Sequence, residues 1–156
     1  KYYDGNVWIV PNPGDAGSSL GAAALYYFEN TGNFLEWNGP YLGTNIKGQW
    51  PKEKFLQSLR TGNIFGVANG RAEFGPRALG NRSLFADARG PKIKDKVNKI
   101  KRRQEFRPFA PIVLEEHVED WFEMPAGITS SPYMSFVAKC KRPDEIPAVC
   151  LSRIHI

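Results

Sequence analysis

Cysteine is scarce in this sequence, and so are long apolar runs. Only Cys140 and Cys150 occur among 156 residues, both late in the chain and without a Cys-x-x-Cys or Cys/His metal spacing. Neither a disulfide framework nor a zinc knuckle is expected, and a reducing cytoplasm fits best. No apolar run approaches the roughly 18 to 20 residues that a membrane-spanning helix needs. The opening KYYDGNVWIVPNPGD lacks the layout of a secretion signal, so a soluble protein with no membrane partner is expected. Also missing are a Ser-His-Asp arrangement, a GxxxxGKS or GxxxxGKT phosphate loop, and paired carboxylates in a catalytic context. What remains, 42% hydrophobic and 13% aromatic, is enough for one ordinary core and argues against disorder.

Charge is concentrated. The chain carries +5 overall. Residues 71–107 hold twelve Lys or Arg against Glu73, Asp87, Asp95 and Glu105, a local excess of +8 that leaves −3 for the rest. A patch of this kind attracts phosphates, whether on a small molecule or on nucleic acid.

Periodicity divides the chain into alternating elements. Val7 to Val10 reads as a short strand, PNPGD as a turn, and Gly17 to Asn30 as a helix with Leu20, Ala23, Ala24 and Tyr27 on its apolar side. These residues are expected to be the tail of a domain whose body lies outside the sequence. TGNFLEWNGPYLGTNIKGQW reads as a connector that packs by its rings, which places the boundary between segments 1–45 and 46–156. Pro51 opens a helix to about Arg60, ended by Thr61 and Gly62. Asn63 to Ala68 reads as a strand. Pro91 opens a second helix, with Ile93, Val97 and Ile100 on one face, which Pro108 stops. Phe109 to Leu114 and Tyr133 to Lys139 read as strands on either side of a short helix over Glu115 to Phe122. The alternation predicts an α/β or α+β fold.

Two motifs favour an anion. In GRAEFGPRALGNRS, Gly70, Gly75 and Gly80 permit positive φ and close approach, while Arg71, Arg77 and Arg82 offer forks suited to phosphate oxygens. A glycine-punctuated surface loop with solvated arginines is the plain alternative, less apt for three arginines interleaved with three glycines. Glu73 and Asn81 could orient an arginine or face water. In KIKRRQEFRPFAP, Lys99, Lys101, Arg102 and Arg103 close a basic helix. Helix-dipole compensation accounts for one or two such cations at about 0.3 to 1 kcal/mol each. It does not account for Arg107, which stands between Phe106 and Phe109 and needs a partner if partly buried. Those two rings are assigned to the core, as are Trp121 and Phe122, and His117 to a solvated face. PNPGDAGSSLGAA offers a glycine-rich turn before a helix, where Asp15 is either a helix cap or a ligand to a metal ion.

GRAEFGPRALGNRSLFADARGP and VNKIKRRQEFRPFAPIVLEE closely resemble the C-terminal, YrdC-like domain of the carbamoyltransferase family, which includes nodulation-factor, cephalosporin and aminoglycoside O-carbamoyltransferases. The likeness is strong from residue 62 to about 125. GDAGSSLGAA resembles the end of that family's ASKHA-type (actin-like ATPase) domain. The resemblance implies a truncated YrdC-like mixed-sheet domain preceded by the last strand and helix of an ASKHA-type domain. It implies an enzyme that uses ATP and carbamoyl phosphate to form carbamoyl-adenylate, then passes the carbamoyl group to an acceptor hydroxyl on a small molecule. Lys101 and Arg103 resemble the family's Lys-x-Arg pair and would be the catalytic phosphate contacts. Arg71, Arg77 and Arg82, with Gly75, Asn81 and Arg107, would surround carbamoyl phosphate and nucleotide. Asp15 resembles an aspartate that helps hold a divalent metal, Mg or Fe, whose histidine ligands would precede Lys1.

After IPAV the sequence departs from the family's pattern, and the Ser-x-Asn element that partners the Lys-x-Arg pair does not occur. A fragment of a carbamoyltransferase, inactive by itself, is therefore the expectation. The alternatives are a nucleic-acid-binding YrdC-like module and a non-catalytic remnant. Nucleic acid is the less expected partner, because the arginines sit among glycines in a short loop instead of being spread with exposed aromatics along a groove.

Overall fold

The computed structural model describes Val10 and residues 12–150. The strand expected at Val7 to Val10 lies almost wholly outside the described residues, as does the tail beyond Cys150. In chain order the elements are a 3-10 turn at Asp15–Gly17, α1 (Ser18–Thr31), β1 (Asn45–Ile46), α2 (Lys52–Arg60), β2 (Phe65–Ala68), β3 (Gly70–Arg71) and β4 (Arg82–Phe85). Then follow α3 (Ile93–Ile100), a 3-10 turn at Glu115–His117, α4 (Val118–Trp121), β5 (Phe122–Glu123) and β6 (Lys139–Cys140). Strands pair two at a time, β1 with β3, β2 with β4 and β5 with β6, so the fold is α+β with small sheets.

The chain divides into two units. One comprises residues up to Gly48 together with Ala68–Ser83; the other comprises Gln49–Val67 and the chain from Leu84 onward. In the first, β1 and β3 run antiparallel with Asn45 opposite Arg71 and Ile46 opposite Gly70. Gly43 lies so close to this ladder that a Cβ on it would stand 2.8 Å from the Ala72 Cβ. The aromatic connector thus serves as the platform on which the Gly/Arg loop is built.

The second unit holds the core. Ile93 and Val97, one turn apart on α3, bury against Ala148, with Ile64, Ala86 and Phe109 packed around them. Ile93 and Val97 each contribute on the order of 1.5 to 3 kcal/mol by leaving water. Phe55 of α2 packs edge-on against Phe65 and Phe85, at 5.5 and 5.3 Å between centroids, which ties α2 to β2 and β4. Cys140 and Cys150 are free thiols. Burial and the neighbouring Cys140 thiol push the Cys150 thiol up to about 12.

Several expectations need correction. Residues 109–114 form no strand: Pro108 and Pro111 remove donors, and Ile112 and Leu114 stand exposed. Residues 133–138 also form no strand, because Met134 turns the chain at φ 58° and only Lys139–Cys140 pairs. The second helix ends at Ile100, well short of Pro108, and Ile100 is exposed rather than part of the core. Phe106 is 72% exposed and is not a core ring. The apolar side of α1 is only partly covered: no residue of the helix is fully buried, Leu20 and Ala24 are half-buried, and Ala23 and Tyr27 are exposed.

Candidate anion-binding site

The loop from Gly70 to Ser83 is held by two charged side chains that bond to backbone only. Glu73 Oε1 accepts the amides of Leu79, Asn81 and Arg82 at 2.7, 2.8 and 3.2 Å. Partial burial acts to raise its pKa, but hydrogen bonds from backbone amides, its own among them, outweigh this and hold the carboxyl below its usual value. Arg82 does the converse. Its Nη1 donates to the carbonyls of Asn69 and Asn81, and its Nη2 to those of Thr44 and Gly70, at 2.8 to 3.2 Å. Asn81 Nδ2 adds a bond to the Arg71 carbonyl at 2.8 Å, and the Tyr41 hydroxyl donates to the Leu79 carbonyl at 3.0 Å.

Within this frame the three arginines differ. Arg82 is spent on the loop itself. Arg71 is exposed and gives one long bond, 3.3 Å, to the Leu42 carbonyl. Arg77 is exposed at the tip, with no side-chain partner among the described residues. Gly75 and Gly80, at φ 120° and 115°, make the bends on either side of it, which L side chains rarely adopt. A guanidinium without a protein partner on a rigid loop is suited to take an anion with little ordering cost.

The second basic segment belongs to the other unit and is organised by Asn98, whose side chain is fully buried. Its Oδ1 accepts Arg103 Nε at 2.6 Å, and its Nδ2 donates to the carbonyls of Glu105 and Arg107 at 3.0 and 3.1 Å. Arg103 also reaches the Pro108 carbonyl at 3.3 Å and lies over the Phe109 ring, 4.5 Å from its centroid. Lys99, Arg102, Arg103, Gln104, Glu105 and Arg107 line an open concavity of about 710 Å³. Arg107 is exposed, so the burial that would have demanded a partner does not arise. Lys101 caps α3 with its backbone and is also exposed.

Asp15 sits exposed in the 3-10 turn and caps neither that turn nor α1. The sharp feature nearby is Gly17, where a Cβ would fall 2.0 Å from the Asn12 carbonyl oxygen. Among the described residues no three His, Cys, Asp or Glu converge on a common point, so these residues by themselves form no metal centre. His117 is exposed beside Asp120 at 3.0 Å, as expected for a solvated face. No helix among the described residues is long and apolar enough to cross a membrane.

Sequence reasoning missed Asn98 and undervalued Glu73. Asn98 had one signal, an uncharged polar residue on a helix whose other polar positions are charged. Glu73 was legible only as one of two uses for an acid among arginines.

The sequence pattern described by the model of carbamoyltransferase C-termini matches residues 56–153. Similar curated proteins include Nodulation protein U of Sinorhizobium fredii, 38% identical over 92% of this chain and 27% of its own length. Nodulation protein NolO of Bradyrhizobium diazoefficiens is 46% identical over 87% of this chain and 29% of its own. Nodulation protein NolNO of Sinorhizobium fredii is 52% identical over 85% of this chain and 23% of its own. The chain thus spans about a quarter of the length of these relatives.

Proposed function

The chain belongs to the family of carbamoyltransferase C-termini, and from that membership we propose that it is the anion-handling part of an O-carbamoyltransferase. In this reading water cleaves carbamoyl phosphate to phosphate and carbamate, a carbamate oxygen attacks the α-phosphorus of ATP to give carbamoyl-adenylate and pyrophosphate, and the carbamoyl group passes to a small-molecule hydroxyl with AMP as the leaving group. Residues up to about 45 belong to an ASKHA-type domain and those from 46 to a YrdC-like domain, in a cytoplasmic enzyme of which this chain is a fragment. No step is assigned to a metal, because Asp15 stands without co-ligands among the described residues.

One observation carries the reading: Arg77 is offered on a loop that Glu73 and Arg82 brace from opposite signs of charge. Two highly charged substrates need fixed cations that do not reorganise when charge moves toward the leaving pyrophosphate. Arg77 and Arg71 are free enough to meet such oxygens. Asn81, Gly75 and Arg82 shape the loop around them. In the second unit Lys101 and Arg107 are exposed cations available to phosphate, while Arg103 is held by Asn98 and Phe109.

Calorimetric titration of carbamoyl phosphate into the protein, wild type against Arg77→Ala, tests this. One charge-assisted contact is worth about 1.5 to 3 kcal/mol, so a roughly ten-fold or greater loss is expected. Equal affinities would refute the assignment of Arg77.

A further inference from the structure

Cys140 and Cys150 stand outside the basic motifs, and the fold brings them together. Cys140 ends β6 opposite Phe122 of β5, and Lys141 N–H continues this pairing with a bond to the Trp121 carbonyl at 2.8 Å. The chain then reverses. Glu145 and Ile146 N–H both bond to the Arg142 carbonyl, at 3.1 and 3.4 Å, and Val149 N–H bonds to the Ile146 carbonyl at 3.3 Å. Arg142 holds this turn through its side chain as well, with the guanidinium 4.9 Å from the centre of the Trp121 ring and 3.9 Å from Glu145. Ala148 N–H bonds to the Ala88 carbonyl at 3.2 Å, while its methyl group is buried with Ile93 and Val97.

Segment 141–149 is therefore anchored at both ends, on β5 at one and on the core at the other. Its closure leaves the Cys150 thiol within hydrogen-bonding reach of Cys140. Both thiols are free and half-buried, so a small reagent can reach them. Two sulfurs placed side by side by backbone on either flank are already near the approach that a disulfide needs, and closing that bond would restrict the unfolded chain over a loop of about ten residues.

We propose that Cys140 and Cys150 form a reversible oxidation site, in which a small-molecule disulfide closes an intramolecular Cys140–Cys150 bond and ties segment 141–149 to β6. Cys140 attacks first. Burial, together with the hydrogen bond and charge of Cys140, pushes the Cys150 thiol up to about 12, so Cys150 keeps its proton while Cys140 opens the S–S bond of the reagent. A mixed disulfide forms on Cys140 and one small thiol leaves. The charge on Cys140 is then gone, and burial alone holds the Cys150 proton. Cys150 gives that proton to water and attacks Cys140 Sγ, expelling the second small thiol. The two protein thiols lose two electrons, and the reagent gains them with two protons to become two thiols. In a reducing compartment the reverse exchange reopens the bond. Ala148 carries the structural consequence, since it packs on Ile93 and Val97 and a closed loop secures it against α3. None of this depends on the carbamoyl-transfer reading.

The test equilibrates the folded chain with oxidised and reduced glutathione and then alkylates it to count free thiols. Oxidised wild type should take up no alkyl group, carry no intermolecular disulfide, and on tryptic digestion give residues 140–141 joined to residues 142–153. Its melting temperature should rise by roughly 5 °C, and dithiothreitol should reverse the rise. Cys150→Ala should stop at one glutathione per chain, on Cys140, with no rise in melting temperature. Cys140→Ala should react with oxidised glutathione at least about ten-fold more slowly than Cys150→Ala, because burial still holds the Cys150 proton. Serine variants at the two positions serve the same comparison where an alanine variant fails to fold. The proposal is overturned if wild type accumulates mixed disulfides or disulfide-linked dimers instead of the closed bond, if closure occurs only in urea, or if the closed form melts no higher than the reduced form. Equal reaction rates in the two single-cysteine variants would overturn the order of attack.

Discussion

Glu73 accepts the backbone amide of Arg82 at 3.2 Å, and Arg82 donates through its guanidinium to four carbonyls around the same loop. The two charged side chains do not pair with each other through their charged ends. Instead each satisfies backbone groups of the opposite polarity, so a loop with little apolar content is held in one shape.

Arg82→Ala should therefore behave as a stability mutation. Four carbonyls lose a charged donor, and a cost of about 2 to 4 kcal/mol is expected from such a network. Arg77→Ala should change stability by less than about 0.5 kcal/mol, since the residue is exposed with no partner among the described residues. Urea unfolding of both variants separates them; equal effects would contradict the division of labour between the two arginines.

The Glu73 carboxyl is held below its ordinary value of 4.5, which fixes the sign of its pH effect. A depressed carboxyl contributes stability above its unfolded pKa, and that contribution is lost as pH falls through the lower folded value. Amide exchange at Leu79 and Asn81, compared with exchange in α3, should accelerate selectively as the solution is acidified below about pH 4.5. Glu73→Gln should abolish the selective part. Persistence of the same acid-dependent loosening in that variant would assign it to another group.

Asn98→Leu should cost about 2 to 4 kcal/mol despite the added apolar bulk, because it orphans the Glu105 and Arg107 carbonyls and frees Arg103. Arg103→Lys tests the same network more gently, since an ammonium cannot reproduce the guanidinium's bond to Asn98 together with its stacking on Phe109. Thermal unfolding of both should place Asn98→Leu lower. A neutral Asn98→Leu would show that the buried amide is not what secures the turn.

Much of the helical architecture was legible. Ile93 and Val97 announced the buried face of α3, Thr61 and Gly62 marked the end of α2, and the glycines of the Gly/Arg loop take the positive φ their spacing implied. The strands were less legible because a short apolar run records only a preference. Residues 109–114 carry such a run, yet Pro111 within it and Pro108 just before it remove donors, and the segment is left unpaired with Ile112 and Leu114 exposed. The roles of the arginines were not legible at all. Arg77 and Arg82 read alike in sequence, and only the carbonyls gathered around Arg82 distinguish a side chain that braces the loop from one that stands exposed. Asn98 escaped notice for a related reason: burial of a polar side chain depends on acceptors and donors contributed seven and nine residues later.

The central claim, that this basic loop handles the phosphates of carbamoyl transfer, is tested most directly by ATP–pyrophosphate exchange in the longer polypeptide extended at both ends of this chain. The account predicts exchange that requires carbamoyl phosphate and falls at least about ten-fold in Arg77→Ala, in keeping with the loss of one charge-assisted contact. No exchange by the wild-type polypeptide, or exchange indifferent to both carbamoyl phosphate and Arg77, would contradict it.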